Sequence, residues 1–453
     1  MVKYKQGVMS MFIKLPKDVE TILTTLHNNG YEAYVVGGCV RDALLMKTPD
    51  DWDITTSAKP HEVKTLFPRT FDTGIQHGTV TVRLNHTNYE VTTFRIEDDY
   101  EDGRHPSSVS FTNQLSEDLK RRDFTINAMA YNPTVGLVDL FDGRHDLEHK
   151  IIRCVGNAKE RFEEDALRIL RALRFSAQLH FQIEANTLNA IKECATLLTK
   201  ISMERVNVEL TKLLTSNHPE YIQLLYDTGV SKVILPEFDI MMETMQCNPH
   251  HCYSVGKHTI ETLKHVPNDP ILRYSMLFHD LGKPNKKTTD DKGIDHFYGH
   301  QKESAIIAHA IMRRLKFDSH SMQLIERYVE HHDCRMEPNL RNVRRNVAHI
   351  GKDLFPNFFL IQRADILAQS DYLRDKKLET LSLVETIYKT IIEEEHCLSI
   401  KDLKINGKDL LDLGFTAGPQ IGEILQSLLN EVLENPEMNQ HDTLIAYCQE
   451  HFL

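Results

Sequence analysis

Asp51 and Asp53 stand two residues apart in "PDDWDITT". Side chains alternate along a strand, so this spacing puts both carboxylates on one face, with Asp50 and Trp52 on the other. Carboxylates side by side repel unless a cation lies between them. Mg²⁺ accepts one or two carboxylates together with phosphate oxygens, so the pair suits metal-assisted phosphoryl transfer. An exposed acidic strand end explains a lone pair equally well. Just upstream, "VVGGCVRDALL" carries Gly37 and Gly38 at a helix start, with Arg41 one turn in. Glycines there let backbone N–H groups approach a phosphate. A tight turn accounts for two glycines alone. Turn and carboxylate pair together point to a nucleotide phosphate beside a metal. Glu90, in "YEVTTF", offers a third carboxylate from a neighbouring strand, with a solvated side chain as the competing reading.

A second constellation lies in "RFEEDALRILRALRF", residues 161–175. On one continuous helix, Asp165, Arg168 and Arg171 span about 120°, and Arg174 lies roughly opposite Asp165. Asp165 and Arg168 make the natural pair for reading a base edge. An aspartate accepts from an exocyclic amine, and an arginine donates to ring acceptors. An ordinary helix ion pair has the same spacing. Arg171 is expected to reach a phosphate or a neighbouring acid. Arg174 is expected to brace the helix, against backbone carbonyls or an acid in the N-terminal part. Glu164 is expected to support rather than read.

These residues need elements to hold them. Residues 16–30 have a helical pattern, "YEAYVVGG" is a strand running into a turn, and "DWDITT", "HGTVTVRL" and "YEVTTFRI" alternate as strands. Residues 98–116, "DDYEDGRHPSSVSFTNQLS", are polar and punctuated by Gly and Pro, the pattern of a mobile loop. Beyond about residue 155, strand signals nearly vanish and long amphipathic helical patterns follow. The chain is therefore expected to be α+β: a mixed-sheet head followed by an all-α neck, body and tail.

The motifs "GGCVRDALL…PDDWDITT", "LKRRDFTINAMAYN", "DLFDGRHDLEHKIIR", "FEEDALRILRALRF" and "ISMERVNVEL" follow one another in order. In that order they resemble the class II tRNA nucleotidyltransferases, the CCA-adding enzymes. These are grouped with bacterial poly(A) polymerases in the DNA polymerase β-like nucleotidyltransferase superfamily. A tail match, "INGKDLLDLGFTAGPQIGEIL", extends the likeness to most of the chain. The resemblance implies that Asp51 and Asp53 hold Mg²⁺ ions. It implies that Gly38 and Arg41 contact the triphosphate, with Gly37 in the same turn, and that Arg122 contacts the nucleotide. Asp123 and Asn127 would help place the sugar. It also implies that the "EDxxR" motif selects C and then A without a nucleic-acid template. The implied reaction is addition of CCA to tRNA 3′ ends from CTP and ATP. The implied domains are a head over 1–153, a neck over 154–240, a body over 241–380 and a tRNA-binding tail over 381–453. In the tail, Gly407, Gly414, Gly418 and Gly422 fit either backbone contact with phosphate or plain helix caps.

In the body, His258, the adjacent His279 and Asp280, His300, His332 of "VEHHD", and Asp365 fall on successive helical segments. This order resembles the HD-domain metal phosphohydrolases. Imidazole and carboxylate together suit Mn²⁺, Fe²⁺, Ni²⁺ or Mg²⁺. The resemblance implies a second activity, as phosphatase or phosphodiesterase, in tRNA 3′-end repair. An A-adding enzyme, a poly(A) polymerase and a protein that is mainly an HD phosphohydrolase are the alternatives.

Composition narrows the classes. The net charge of −12 disfavours a protein coated in nucleic acid and leaves room for a local basic cleft. No apolar run is long enough to span a bilayer, so no membrane partner is expected. The opening segment lacks a signal-peptide pattern, and the eight cysteines show no CxxC pair. Both fit a cytoplasmic protein. "CNPHHC" at 247–252 mimics half a zinc knuckle and is expected to be a loop. The pattern leaves the oligomeric state open.

Overall fold

The computed structural model describes residues 12–97 and 109–453. Residues 98–108 of the expected loop lie outside the described residues. The chain divides into two compact units, up to Pro236 and from Glu237 to Leu453.

The first unit opens on α1 (Lys17–Asn28). Its sheet contains β1 (Ala33–Val36), β2 (Ile54–Thr56), β3 (Thr70–Gly74), β4 (Thr79–Leu84), β5 (Thr87–Thr93), β8 (Met129–Asn132) and β9 (Gly136–Asp139). A separate ribbon pairs β6 (Arg95–Glu97) with β7 (Val109–Phe111). The sheet order is β3-β4-β5-β2-β1-β8-β9. Only β2 and β5 pair in parallel, so the sheet is mixed. Strand β1, "AYVV", is buried throughout, as a central strand covered on both faces must be. Helices α2 (Gly38–Leu44), α3 (Pro60–Leu66), α4 (Leu115–Lys120) and α5 (Gly143–Glu148) connect and cover the strands. Tyr34, Val36, Phe94, Leu115, Leu119 and Ala130 form one apolar cluster, with Val138 and Phe141 packed against it.

The same unit continues as helices: α6 (Ala158–Glu164), α7 (Leu167–Leu179), α8 (Ala185–Cys194), α9 (Met203–Leu214), α10 (Gln223–Asp227) and α11 (Ser231–Ile234). Helix α7 is buried on nearly every side, including Arg168 and Arg174. It packs on α9 and ends at His180, whose φ of 58° is left-handed.

The second unit holds α12 (Pro236–Glu243), α13 (Val255–Leu263), α14 (Pro270–Phe278), α15 (Lys283–Lys286), α16 (His300–Arg314), α17 (Ser319–His331), α18 (Leu340–Ile350), α19 (Phe355–Ala368), α20 (Arg374–Glu393), α21 (Gly407–Asp412), α22 (Pro419–Glu434) and α23 (His441–His451). α12 begins one residue before this unit's boundary. Helix α14, "PILRYSMLF", is capped by the Asp269 side chain and buried from Leu272 onward, so it forms the unit's core. α13 and α17 pack on it, α19 packs on α13, and α20 packs on α19. Among the described residues no helix is long and apolar enough to cross a membrane.

Candidate functional site

Asp53 immediately precedes β2, and its carbonyl accepts from the Val36 N–H of β1 at 3.0 Å. Because β2 pairs in parallel with β5 from Ile54↔Val91 onward, Asp53 lies alongside Glu90. Desolvation pushes the Asp53 carboxyl above its usual range, Arg122 pulls it down, and Asp51 adds to the rise. Glu90 is raised by desolvation, then by Asp53 and by Asp51. Asp53 keeps an open side to solvent while dense protein surrounds the rest of it. Three mutually repelling carboxylates at an open mouth fit a divalent cation.

Gly37 has φ of 83°, which glycine adopts without strain. A Cβ there would stand 3.0 Å from Arg122 Nη1, so the missing side chain also makes room for that guanidinium. Buried Asp118 accepts from Arg121, from Arg122 and from the Thr55 hydroxyl of β2. Buried Arg122 Nε makes no hydrogen bond. Nothing in the sequence spacing of Asp118 marks it as the post holding both arginines. Arg41 is tied down, donating to Asn127 Oδ1 at 2.7 Å and to the Asp42 carboxylate. Asn127 in turn donates to Asp123.

The stretch 161–175 is not one helix. α6 ends at Glu164, and Asp165 is extended with φ of −140° and ψ of 102°. The Asp165 side chain accepts from the Leu167 N–H at 3.0 Å, as an N-cap does. The angular spacing expected for a continuous helix therefore does not apply. Asp165 pairs with Arg205 of α9 at 2.9 Å, and Arg168 pairs with Glu164 at 2.5 Å. Arg168 also donates to the backbone carbonyls of Arg161 and Arg121. Arg171 bonds Asp123 of the head at 2.6 Å. Burial works to raise the Asp123 pKa. Arg171, Asn127 and the Phe124 N–H outweigh it and hold the carboxyl at about 2. Arg174 is a brace, but its acid is Glu209 of α9, at 2.5 Å, rather than one in the head. Arg205 and Glu209 lie within "ISMERVNVEL", where their spacing carries no signal of these partners. Only the packing of α7 on α9 discloses their role.

In the second unit, His258 lies on α13, His279 and Asp280 directly follow α14, His300 opens α16, His332 directly follows α17 and Asp365 lies on α19. Ligand atoms of His258, His279 and Asp280 lie within 4.8 Å of one another, as do those of Asp280, His300 and His332. Asp365 Oδ1 is 2.8 Å from His258 Nε2. Both Asp280 oxygens and His279 Nε2 are buried without a hydrogen bond. Lys283 Nζ, 2.8 Å from Asp280, supplies positive charge there. Desolvation works to raise the Asp280 pKa, yet His279 and Lys283 hold the carboxyl well below the usual range. Buried His332 is pushed down to about 4 by desolvation and its neighbouring imidazoles, so it stays neutral at pH 7, as a metal ligand must. His331 instead meets the ring of His349. Lys283 lies three residues after Asp280, a spacing that by itself does not mark it as the partner of that carboxylate. Cys247 and Cys252 are exposed free thiols, and neither joins a cluster of metal-type ligands among the described residues.

The chain is similar to known proteins along most of its length. Residues 33–153 match the poly A polymerase head domain, and residues 180–242 match the probable RNA and SrmB-binding site of polymerase A. Residues 303–448 match the domain described as tRNA nucleotidyltransferase domain 2, putative. The chain is 57% identical to the CCA-adding enzyme of Lactiplantibacillus plantarum over 440 residues, 94% of each chain. It is 55% identical to that of Streptococcus gordonii, over 96% of this chain and 98% of the other. Among solved structures, the Bacillus stearothermophilus CCA-adding enzyme in complex with CTP aligns with a TM-score of 0.71 at 28% identity, covering 96% of each chain.

Proposed function

The chain belongs to the CCA-adding enzymes, and from that premise we propose that Asp51 and Asp53, joined by Glu90, are its metal-holding catalytic carboxylates. The protein is a tRNA nucleotidyltransferase that adds CCA to tRNA 3′ ends from CTP and ATP without a template. The observation that carries the site assignment is the group of three repelling carboxylates beside an arginine with an unpartnered buried N–H. Bound there, Mg²⁺ supplies neutralising charge on the phosphates and favours ionisation of the attacking hydroxyl. The tRNA 3′-oxygen bonds to the α-phosphorus, the bond to the bridging oxygen breaks, pyrophosphate leaves, and the hydroxyl proton passes to solvent.

The remaining residues position the reactants. Gly38 presents its backbone N–H, the Gly37 N–H is taken by the Met129 carbonyl, and the missing Gly37 side chain leaves room for the Arg122 guanidinium. Arg41, Asn127 and Asp123 form one hydrogen-bonded chain that fixes the floor beneath the sugar. Asp165 and Arg168 read the base edge, each held by its own partner rather than by the other. Asp51→Ala combined with Asp53→Ala is expected to abolish addition to a tRNA ending before the CCA, assayed with CTP and ATP separately and together. Addition that survived the double change would refute the assignment.

One observation favours a second activity. His258, His279, Asp280, His300 and His332 form two overlapping metal-type groups that share Asp280, with Asp365 against His258, and His279 Nε2 is buried there without a hydrogen bond. Their imidazole and carboxylate donors fit Mn²⁺, Ni²⁺ or Mg²⁺, and the chemistry such an ion supplies is hydrolysis of a phosphate ester by water. His279→Ala with Asp280→Ala is expected to remove phosphatase activity and Mn²⁺ binding together.

A further inference from the structure

Phe175 of α7 is buried, and three guanidiniums stand over its ring. Arg174 Cζ lies 3.8 Å from the ring centroid, Arg41 Cζ 5.1 Å and Arg171 Cζ 5.3 Å. Like charges gathered this closely repel, and each arginine has a carboxylate to offset that. Arg41 has Asp42, Arg171 has Asp123 and Arg174 has Glu209. A carboxylate binds a guanidinium along its edge and leaves the flat face without a partner. The face of an aromatic ring is negative and fills that need, the more strongly where water is excluded. The Phe175 ring also meets Phe124 of the head edge-on, at 5.8 Å.

These contacts close a circuit. Arg41 donates to Asn127, Asn127 donates to Asp123, and Arg171 donates to the same Asp123. Arg41 and Arg171 then meet again on the Phe175 ring. Arg41 also borders the glycine turn, because a Cβ at Gly38 would stand 3.6 Å from Arg41 Nη2. Asp42 takes the Nε–H and an N–H of Nη2, and Asn127 takes an N–H of Nη1. Each terminal nitrogen carries a second N–H, which suits a phosphate at that turn. The hydrogen bonds fix the guanidinium within its own plane, and the ring checks its tilt out of that plane. We propose that Phe175 is a positioning residue for nucleotide addition, whose ring face holds the Arg41 guanidinium at the tilt that meets the triphosphate. It thereby links the base-reading helix α7 to the phosphate site. This rests on the reading that Arg41 contacts the incoming nucleotide. Phe175 touches no reactant and acts through Arg41. The same ring supports the buried Arg174–Glu209 pair, which contributes to stability and not to nucleotide binding.

The test replaces Phe175, in the full chain, by a series of ring-fluorinated phenylalanines. Each fluorine drains the negative face while the side chain keeps nearly the same shape, so a role in packing alone gives a flat series. In steady-state addition of CTP to a tRNA ending before the CCA, the KM for CTP is expected to rise with each fluorine, by about tenfold at full fluorination. kcat is expected to move by less than about threefold, because a phosphate contact made alike in ground and transition states acts on KM. Phe175→Leu keeps bulk and loses the face, and is expected to match full fluorination. Should that variant fail to fold, the fluorinated series decides by itself. Calorimetry of CTP binding with Mg²⁺ repeats the series without turnover and extends it to an Arg41→Gln background, where the dependence on fluorine is expected to vanish. CTP affinity that stays flat along the series, or that falls as steeply in Arg41→Gln as in the native background, would overturn the proposal. If Arg41→Gln by itself leaves CTP affinity unchanged, the underlying reading of Arg41 falls, and the proposal with it.

Discussion

At the residue scale the proposed catalytic carboxylates work against the fold. Asp53 and Glu90 are desolvated and repel Asp51, so each ionised carboxylate costs stability until a cation arrives. Asp53→Asn is therefore expected to raise the melting temperature of the metal-free enzyme while lowering nucleotide addition by about a thousandfold, as loss of a metal's several kcal/mol implies. Calorimetry with and without Mg²⁺ checks the first half, and product length on a gel checks the second. Asp123 behaves in the opposite way. Its pKa is depressed from 3.8 to about 2, so its stabilising effect is present above the unfolded value and is lost as pH falls toward 2. Linkage makes this on the order of 2 kcal/mol. Thermal melts of Asp123→Asn and wild type, compared at pH 7 and near pH 2, are expected to differ most at pH 7 and converge in acid.

At the element scale the break between α6 and α7 matters more than either helix. It frees the Asp165 carboxylate to cap α7 with one oxygen and to meet Arg205 with the other. Arg205→Ala removes that tether. Misincorporation of UTP is expected to rise and correct addition to fall, with Arg205→Lys giving partial recovery. Single-nucleotide incorporation assays read both. The Arg174–Glu209 pair joins α7 to α9 with both side chains buried. Arg174→Ala strands Glu209 and is expected to cost about 3–5 kcal/mol, whereas replacing both by apolar residues recovers most of it. Urea unfolding measures that difference.

At the scale of the whole molecule, two compact units each enclose a core and a charged site. Mn²⁺ is expected to raise the melting temperature through the six-ligand cluster of the second unit, and Asp280→Asn to abolish that shift; scanning calorimetry checks both. The ordered motifs made the α+β head and the helical remainder legible, because alternation and helical period survive in any sequence whose elements bury one face. The same cannot be said of 161–175, where an apolar period of helical type ran through a position that the backbone leaves extended.

The sequence by itself singled out the candidate groups. The Asp51–Asp53 spacing, the glycine turn and the adjacent His279–Asp280 pair are local patterns of residue type, and local patterns are written in the chain. The tertiary structure decided who holds whom. Asp118 under Arg122, Arg205 on Asp165, Glu209 on Arg174, and Gln369 with Lys377 on Asp365 are all partnerships between residues. The two oxygens of Asp165 show the reason. One caps the helix two residues ahead and is a local matter, while the other meets an arginine forty residues away. The second contact exists only because α7 and α9 bury their apolar faces against each other, and burial, unlike spacing, is a property of the folded whole.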